Sequence, residues 1–424
     1  MKEEALQRAK TLDSSDPLAA FRTQFHFPQR DGKDCIYLCG NSLGLQPKTT
    51  QEFIDSELRQ WREHGVEGHF TGEKPWVSYH KNSKASLAKI VGAGEHEVVA
   101  MNNLTTNLHL AMASFYQPKG KRSKILIERG AFPSDFYAVH SRIELSGGNP
   151  ETDLIELEAA DGSDYLSTNE IVAKIESLGD KLALVMFPGV QYYTGQFFDI
   201  KSIAEAAHKV GAYAGFDLAH AVGNVSLNLH NDDADFAVWC TYKYLNSGPG
   251  GVGGLFIHEK HGKNKSTPRL SGWWGHDSEA RFKMNNQINP IPTVDGWQLS
   301  NVNILSHASH LASLQLFDEA GIENLREKSL KLTDLMEELI LNSEALKNQI
   351  KIITPSNQHE RGAQLSLYLM NHGKSVFQYL IDHGVILDWR EPNVIRVAPV
   401  PLYNSFQDVV NFVSILEEAI RNEG

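Results

Sequence analysis

Two short stretches put chemistry-bearing side chains where packing alone does not require them. In FDLAHAVGN, residues 216–224, Asp217 and His220 follow a run of small and apolar residues. In CTYKYLNSGPGGVGG, residues 240–254, Lys243 stands between Tyr242 and Tyr244 and just before a glycine-rich run. A carboxylate ending an apolar strand of a parallel sheet sits where such sheets bind ligands, beyond the strands' carboxyl ends. There it can pair with a cation, and a pyridinium nitrogen suits it because an adjacent carboxylate keeps that nitrogen protonated. Taken alone, Asp217 equally caps the turn that follows, and His220 reads as a satisfied core histidine. A lysine at the end of a buried strand is the type Schiff-base chemistry uses, because desolvation favours the neutral amine. The plainer alternative is a lysine snorkelling to solvent.

Two further stretches extend the pattern. NLTTN, residues 103–107, offers hydroxyls and backbone N–H groups at a helix start, where free amides and the helix dipole bind phosphate. The same residues also make an ordinary N-cap. An acid for a pyridinium, a lysine for an aldehyde and a helix start for a phosphate are together the three handles of pyridoxal phosphate. Their conjunction is more specific than any one of them. NVIRVAPVPLYNS, residues 393–405, sets Arg396 in an apolar strand, and a buried guanidinium fork fits a carboxylate such as that of an amino-acid substrate.

Other motifs carry less. GPGGVG, residues 248–253, matches GxGxxG literally, but the dinucleotide fingerprint follows a strand and opens a helix, whereas a strand follows here and Pro249 intrudes. A flexible turn is the expectation. No GxxxxGK[ST] is present. HEKH (258–261) and HASH (307–310) pair histidines without the HExxH form, so no metal is expected. KHGKNKSTPR, residues 260–269, reads as a solvated basic loop. Cys35, Cys39 and Cys240 form no CxxC motif.

These side chains need a scaffold, and the middle of the chain supplies strand–helix alternation. Residues 97–101, 124–128, 182–187, 212–216, 235–240 and 253–258 read as strands. Helices are expected at 105–116, with Thr105 near the N-cap, from Pro133 onward, at 167–179 with a Ser167/Glu170 capping box, and at 200–211. Apolar strands separated by helices predict an α/β fold, a mostly parallel sheet between helices. From about residue 305 the rhythm changes. A long helical stretch (309–343) leads to strands at 350–355, 363–370, 385–390 and 394–399, a helix at 375–384 and a final helix, which predicts a smaller C-terminal α+β domain. The expected division is an N-terminal segment 1–50 packing on both domains, a large cofactor-binding domain 51–305 and a small domain 306–424.

The chain's 424 residues are long for one core. Its formal net charge of −12 argues against nucleic-acid and anionic-membrane partners. No apolar run reaches the roughly 20 residues of a membrane span. The charged start MKEEALQRAKTLDSSDP is not a signal peptide, so a cytoplasmic location is expected.

Ten segments in order then support a resemblance over nearly the whole chain: YLCGNSLGLQPK (37–48), GHFTGEKPW (68–76), NNLTTNLHL (102–110), AFPSDFYA (131–138), YYTGQ (192–196), FDLAHAVGN, YKYLNSGPGG, SGWWGH (271–276), RFKMNN (281–286) and IRVAPVPLYNSF (395–406). The chain resembles the kynureninase family, pyridoxal-phosphate enzymes of the aspartate-aminotransferase fold type (fold type I). The resemblance implies that Lys243 carries the cofactor and serves as base, that Asp217 is the pyridinium partner with His220 beside it, and that Leu104, Thr105 and Tyr242 contact the phosphate. Tyr242 is also expected to deliver protons. Phe132 stacks on the ring, with Ser134 and Asp135 completing that loop. Trp273 and Asn301 line the site, and the tryptophan reaches in from the second subunit of a homodimer. Arg396 clamps the substrate carboxylate, and Ser42 joins the substrate contacts. His69 and Ser300–Asn301 lie near the substrate ring in relatives favouring 3-hydroxykynurenine, which is therefore the expected preference. Pro188 stands where some relatives carry a serine near the cofactor, and a proline cannot donate a hydrogen bond.

The implied reaction is hydrolytic cleavage of the Cβ–Cγ bond of kynurenine or 3-hydroxykynurenine to alanine and an aryl acid, in tryptophan catabolism or NAD biosynthesis. Two alternatives share the scaffold. A cysteine desulfurase-like lyase needs a reactive thiol on a mobile loop, and none of the three cysteines is so placed. A cofactor-binding regulator would add a DNA-binding module, and no basic helix is apparent.

Overall fold

The computed structural model describes residues 2–264, 266–284 and 286–423; Lys265 of the basic loop and Asn285 of RFKMNN lie outside the described residues. Seven apolar runs form one sheet: β1 (Val98–Ala100), β2 (Lys124–Glu128), β3 (Leu154–Leu157), β4 (Leu182–Pro188), β5 (Tyr213–Asp217), β6 (Phe236–Cys240) and β7 (Gly253–Ile257). Their order is β1-β7-β6-β5-β4-β2-β3. β7 runs antiparallel to both neighbours, and the other pairs are parallel.

The continuous apolar character of these strands has a direct cause, since side chains alternate between faces and both faces are covered. In β6, Ala237 and Trp239 enter one core while Phe236 and Val238 enter the other. The parallel strands therefore end along one edge, and Glu128, Pro188, Asp217 and Cys240 stand there together.

Local signals set the helices around that edge. α1 (Lys2–Ser14) and α2 (Thr50–His64) precede the sheet. α3 (Leu104–Phe115) is capped by Asn103, whose side chain accepts from Thr106 N, and Thr105, the second helical residue, lies near that cap as expected. α4 (Pro133–Leu145) opens on its proline. α5 (Thr168–Leu178) has the Ser167/Glu170 capping box and stops at Gly179, and α6 (Ile200–Lys209) leads into β5. The glycine run turns at Pro249–Gly250 and enters β7 at Gly253. A Cβ on Gly253 would come within 2.8 Å of the Asn103 backbone, and one on Gly254 within 2.0 Å of the Trp239 indole. Gly253 lets β7 press against the start of α3, and Gly254 makes room for the Trp239 indole of β6.

The expected long helix is two, α7 (Ile304–Ala320) and α8 (Ile322–Asn342), separated by Gly321 at φ 75°. α7 sits astride the expected boundary at 305/306 and sends Leu311, Leu314 and Phe317 into the core of the large sheet. Beyond it, β8 (Ile350–Ile352), β9 (Leu365–Leu369), β10 (Asp388–Arg390) and β11 (Val394–Val397) make an antiparallel sheet ordered β8-β9-β11-β10. It packs with α8, α9 (Gly373–Asp382) and α10 (Phe406–Glu423) around Leu332, Leu367, Leu380 and Leu416.

The single strand expected at 385–390 is divided. Val385–Ile386 pairs instead with Ile36–Tyr37 of the N-terminal segment, and Asp388–Arg390 joins the sheet. That segment touches both cores. Ala9 and Leu38 enter the second. Gly44 N donates to the Tyr242 carbonyl at 2.8 Å, and a Cβ on Gly44 would lie 2.4 Å from the Lys243 carbonyl. Among the described residues no helix is long and apolar enough to cross a membrane.

Candidate active site

A cavity of about 320 Å³ opens at the carboxyl edge of the large sheet. It is lined by Ser42, Leu104, Thr105, Phe132, Ser134, Asp135, Asp217, His220, Tyr242, Lys243 and Arg396, eleven of the residues singled out in the sequence. Asp217 is the last residue of β5, level with Pro188 of β4 and Val238 of β6, which holds its carboxylate at the sheet edge. One carboxylate oxygen accepts the Ala219 N–H at 2.7 Å, so the capping role and the cavity position coexist. Pro188 lines the cavity without an N–H, and the next amide, that of Gly189, is spent on the Asp217 carbonyl at 2.7 Å.

Lys243 Nζ lies 2.9 Å from His220 Nε2 and 5.9 Å from the centre of the Phe132 ring. Burial, with the nearby charges of Lys243, Arg396 and Arg390, pushes His220 well below the ordinary histidine range. A neutral imidazole there accepts from the lysine, and the hydrogen falls to Nδ1, a buried atom with no partner among the described residues. Asp135 is buried beside Asp217; burial first, then the charge of Asp217 and a hydrogen bond to it, raise Asp135 well above the ordinary carboxyl range. Burial also pushes Glu128, at the end of β2, up to about 8. The starts of α3 and α4 converge on the cavity, where Thr105 Oγ1 and Ser134 Oγ are 2.8 Å apart. Tyr242 is pushed up chiefly by burial and stays a phenol.

Arg396 is 1% exposed on β11. Its Nε donates to Asp388 Oδ1 at 2.6 Å and its Nη1 to the Tyr192 carbonyl at 2.7 Å. Glu128, Tyr192 and Arg390 also line the cavity, and Asp388 stands behind Arg396. Glu128 carried the same signal as Asp217, a carboxylate ending an apolar parallel strand. Arg390 and Asp388 alternate in DWR, but only the pairing of β10 with β11 turns them toward Arg396.

Four expected residues stand elsewhere in the same chain. Trp273 lines a separate cavity, with its indole Nε1 donating to the Arg281 carbonyl at 3.2 Å. His69 packs near Phe70 and Trp76, and Ser300 and Asn301 are exposed. The histidine motifs do different work. His307 and His310 are fully buried in α7. His258 stands with Glu97 and His230, their ligand-type atoms within 4.8 Å of one another. Glu97 already accepts from His230 Nδ1 at 3.0 Å and from the N–H groups of Gly94 and Glu259 at 2.8 Å, so hydrogen bonds account for that group.

Comparison with known proteins adds an independent line. Residues 325–416 match the family model of the kynureninase C-terminal domain. The chain is 50% identical over 419 residues to a kynureninase of Flavobacterium psychrophilum, covering 99% of each chain. It is 52% identical over 412 residues to one of Xanthomonas oryzae pv. oryzae, covering 96% of this chain and 97% of that one. Among solved structures it resembles the apo cysteine desulfurase of Thermococcus onnurineus (TM-score 0.73, 20% identity, 92% and 95% covered). It also resembles the cysteine desulfurase CsdA of Escherichia coli (TM-score 0.75, 16% identity, 96% and 99% covered). The structural likeness establishes a shared fold, and the sequence identity, sustained across nearly the whole chain, makes this protein a member of the kynureninase family.

Proposed function

We propose that the chain is a hydrolase acting on a carbon–carbon bond of a ketonic substrate. It cleaves the Cβ–Cγ bond of L-kynurenine or 3-hydroxy-L-kynurenine with water, giving L-alanine and anthranilate or 3-hydroxyanthranilate, and it uses pyridoxal 5'-phosphate. The observation carrying this reading is Lys243 Nζ 2.9 Å from a neutral, buried His220 in a cavity shared with Asp217 and Arg396. The residues fit the cofactor. Asp135 Oδ1 and His220 Nδ1 are buried polar atoms with no partner among the described residues, and two helix starts bring hydroxyls together as a phosphate would need.

When bound, pyridoxal phosphate supplies an aldehyde for the substrate amine and a protonated ring that takes up electron density from the reacting carbons. Asp217 would face the ring nitrogen and keep it protonated. Leu104, Thr105, Ser134 and Tyr242 would hold the phosphate, and Phe132 would lie against the ring. Lys243 Nζ removes the proton from Cα, while His220 Nε2 keeps the amine aimed. The Tyr242 hydroxyl returns a proton to Cβ as the Cβ–Cγ bond breaks, and Arg396, steadied by Ser42 and Asp388, fixes the substrate carboxylate.

Trp273 reaches in from the second subunit of a homodimer in this reading, and His69, Ser300 and Asn301 lie near the substrate ring. Exposed apolar side chains support it: Trp273, Phe70 and Phe282 are 47%, 56% and 52% exposed and cluster, with ring centres 5.4 and 6.1 Å from Phe282. His69 and Asn301 would give a ring hydroxyl its partners, which favours 3-hydroxykynurenine. A desulfurase reading is disfavoured because all three cysteines are buried, and burial pushes Cys39 up to about 12. Cytoplasmic residence belongs to the same proposal, supported by three unpaired thiols.

The test is a purified, yellow holoenzyme that borohydride bleaches and that releases anthranilate and alanine from kynurenine. Lys243→Ala should lose both properties and keep its fold. Mixed dimers of Lys243→Ala and Trp273→Ala should regain activity, because one of their two sites is intact. Full turnover by Lys243→Ala, or no recovery after verified subunit exchange, refutes the corresponding part.

A further inference from the structure

The anion end of the cavity holds two guanidiniums. Arg396 on β11 lies directly opposite Asp388 on β10 in the antiparallel register, so the two side chains share a sheet face. Arg390, two residues past Asp388, projects to that face as well. Arg396 spends Nε and one Nη2–H on Asp388, a second Nη2–H on Ser42 Oγ at 3.0 Å, and one Nη1–H on the Tyr192 carbonyl. A guanidinium has five N–H donors, so one, on Nη1, is without an acceptor among the described residues. Arg390 is less committed. Its Nη1 donates to the Trp389 carbonyl at 3.2 Å, Nη2 is 3.4 Å from Asp388, and its side chain is 37% exposed. Both arginines line the cavity and Asp388 does not. Although burial opposes it, hydrogen bonds from Arg396 and Ser42 and the charge of Arg390 hold Asp388 below the usual carboxylate range.

We propose that Asp388 is a positioning residue that sets the direction and the net charge of the substrate-carboxylate subsite, and that Arg390 is the second guanidinium contacting that carboxylate. The inference rests on Arg396 reading the substrate carboxylate, as proposed above. Direction follows from the hydrogen bonds: Asp388 holds the Nε–Nη2 side of the Arg396 fork, and Ser42, which donates its hydroxyl to Asp388, takes the other Nη2–H, so only the free N–H on Nη1 is left for a ligand. Charge follows by counting: two guanidiniums and one carboxylate leave one positive charge, which a single carboxylate cancels. Without the charge of Asp388 the subsite would present two positive charges and suit a ligand with two carboxylates.

The test titrates holoenzyme with L-alanine, which has one carboxylate, and L-aspartate, which has two, following the cofactor's absorption. Asp388→Asn should weaken L-alanine on the order of tenfold and shift the affinity ratio toward L-aspartate. The double variant D388N/R390Q should bring that ratio back toward the wild type, because the subsite again carries one positive charge. With kynurenine, Asp388→Asn should raise KM while kcat stays within a few-fold of wild type. An unchanged ratio in Asp388→Asn, no return in the double variant, or a fall in kcat at constant KM overturns the proposal. If Asp388→Asn does not retain cofactor, Arg390→Gln decides alone: L-alanine should bind on the order of tenfold more weakly, and unchanged binding overturns it. A wild type that gives these titrations but releases no anthranilate would strike the proposed reaction and leave the subsite standing.

Discussion

Glu128 offers a measurable consequence of burying a carboxyl at the sheet edge. It is 3% exposed, and burial raises it from 4.5 to about 8, against a weak hydrogen bond from Gln191 Nε2 at 3.3 Å and with Asp217 adding repulsion. The folded-state value lies above the unfolded one. Below pH 4.5 both states hold the proton, and Glu128 adds no pH dependence. Between 4.5 and 8 the unfolded chain has lost the proton and the native protein has kept it, so stability falls as pH rises. Above 8 the decline is complete. At about 1.36 kcal/mol per pKa unit, the full range is on the order of 4–5 kcal/mol. Glu128→Gln keeps the shape, can still accept from Gln191 and does not titrate. Urea unfolding of both apoproteins, at fixed protomer concentration, should show the variant gaining on the wild type from pH 5 to pH 9 by a few kcal/mol with unchanged m-values. A difference that stays constant with pH would mean that Glu128 is ionised throughout, and would refute the reasoning.

Three further outcomes are expected. Asp217→Ala should weaken cofactor retention and slow exchange of the substrate α-proton by about a hundredfold or more, as loss of a proton-transfer element does; normal exchange rates would count against the pyridinium role. Arg396→Leu should raise KM on the order of a hundredfold with near-normal cofactor content, and dominant cofactor loss would make Arg396 a phosphate ligand instead. The kcat/KM ratio of 3-hydroxykynurenine to kynurenine should exceed one and should fall in the double variant His69→Trp with Asn301→Thr; a ratio that this change leaves unmoved removes both residues from specificity.

The large sheet was readable from the chain because its cause is local. LALVMF and the interior of KILIE are apolar at every position, which a strand covered on both faces requires, and helix starts are marked by the Ser167/Glu170 capping box and by the fixed φ of Pro133. Asp217, Lys243 and the start of α3 were readable for a related reason: each is a polar group at the end of such an element, and in a parallel sheet those ends share one edge. What residue order does not contain is pairing between distant segments. VILDWR reads as one strand, yet Ile36–Tyr37 captures its first half, and only the register of β10 on β11 sets Asp388 opposite Arg396. Gly253 and Gly254 open a strand as their apolar neighbours suggest, but why glycine is needed there shows only when the Asn103 backbone and the Trp239 indole are seen against them. Glu128 looks like any strand-end acid until the fold withdraws water from it and places Asp217 nearby. Local residue types determined which groups could do chemistry; their burial, charge partners and direction were decided by tertiary contacts, because desolvation and hydrogen-bond geometry depend on neighbours far away in sequence.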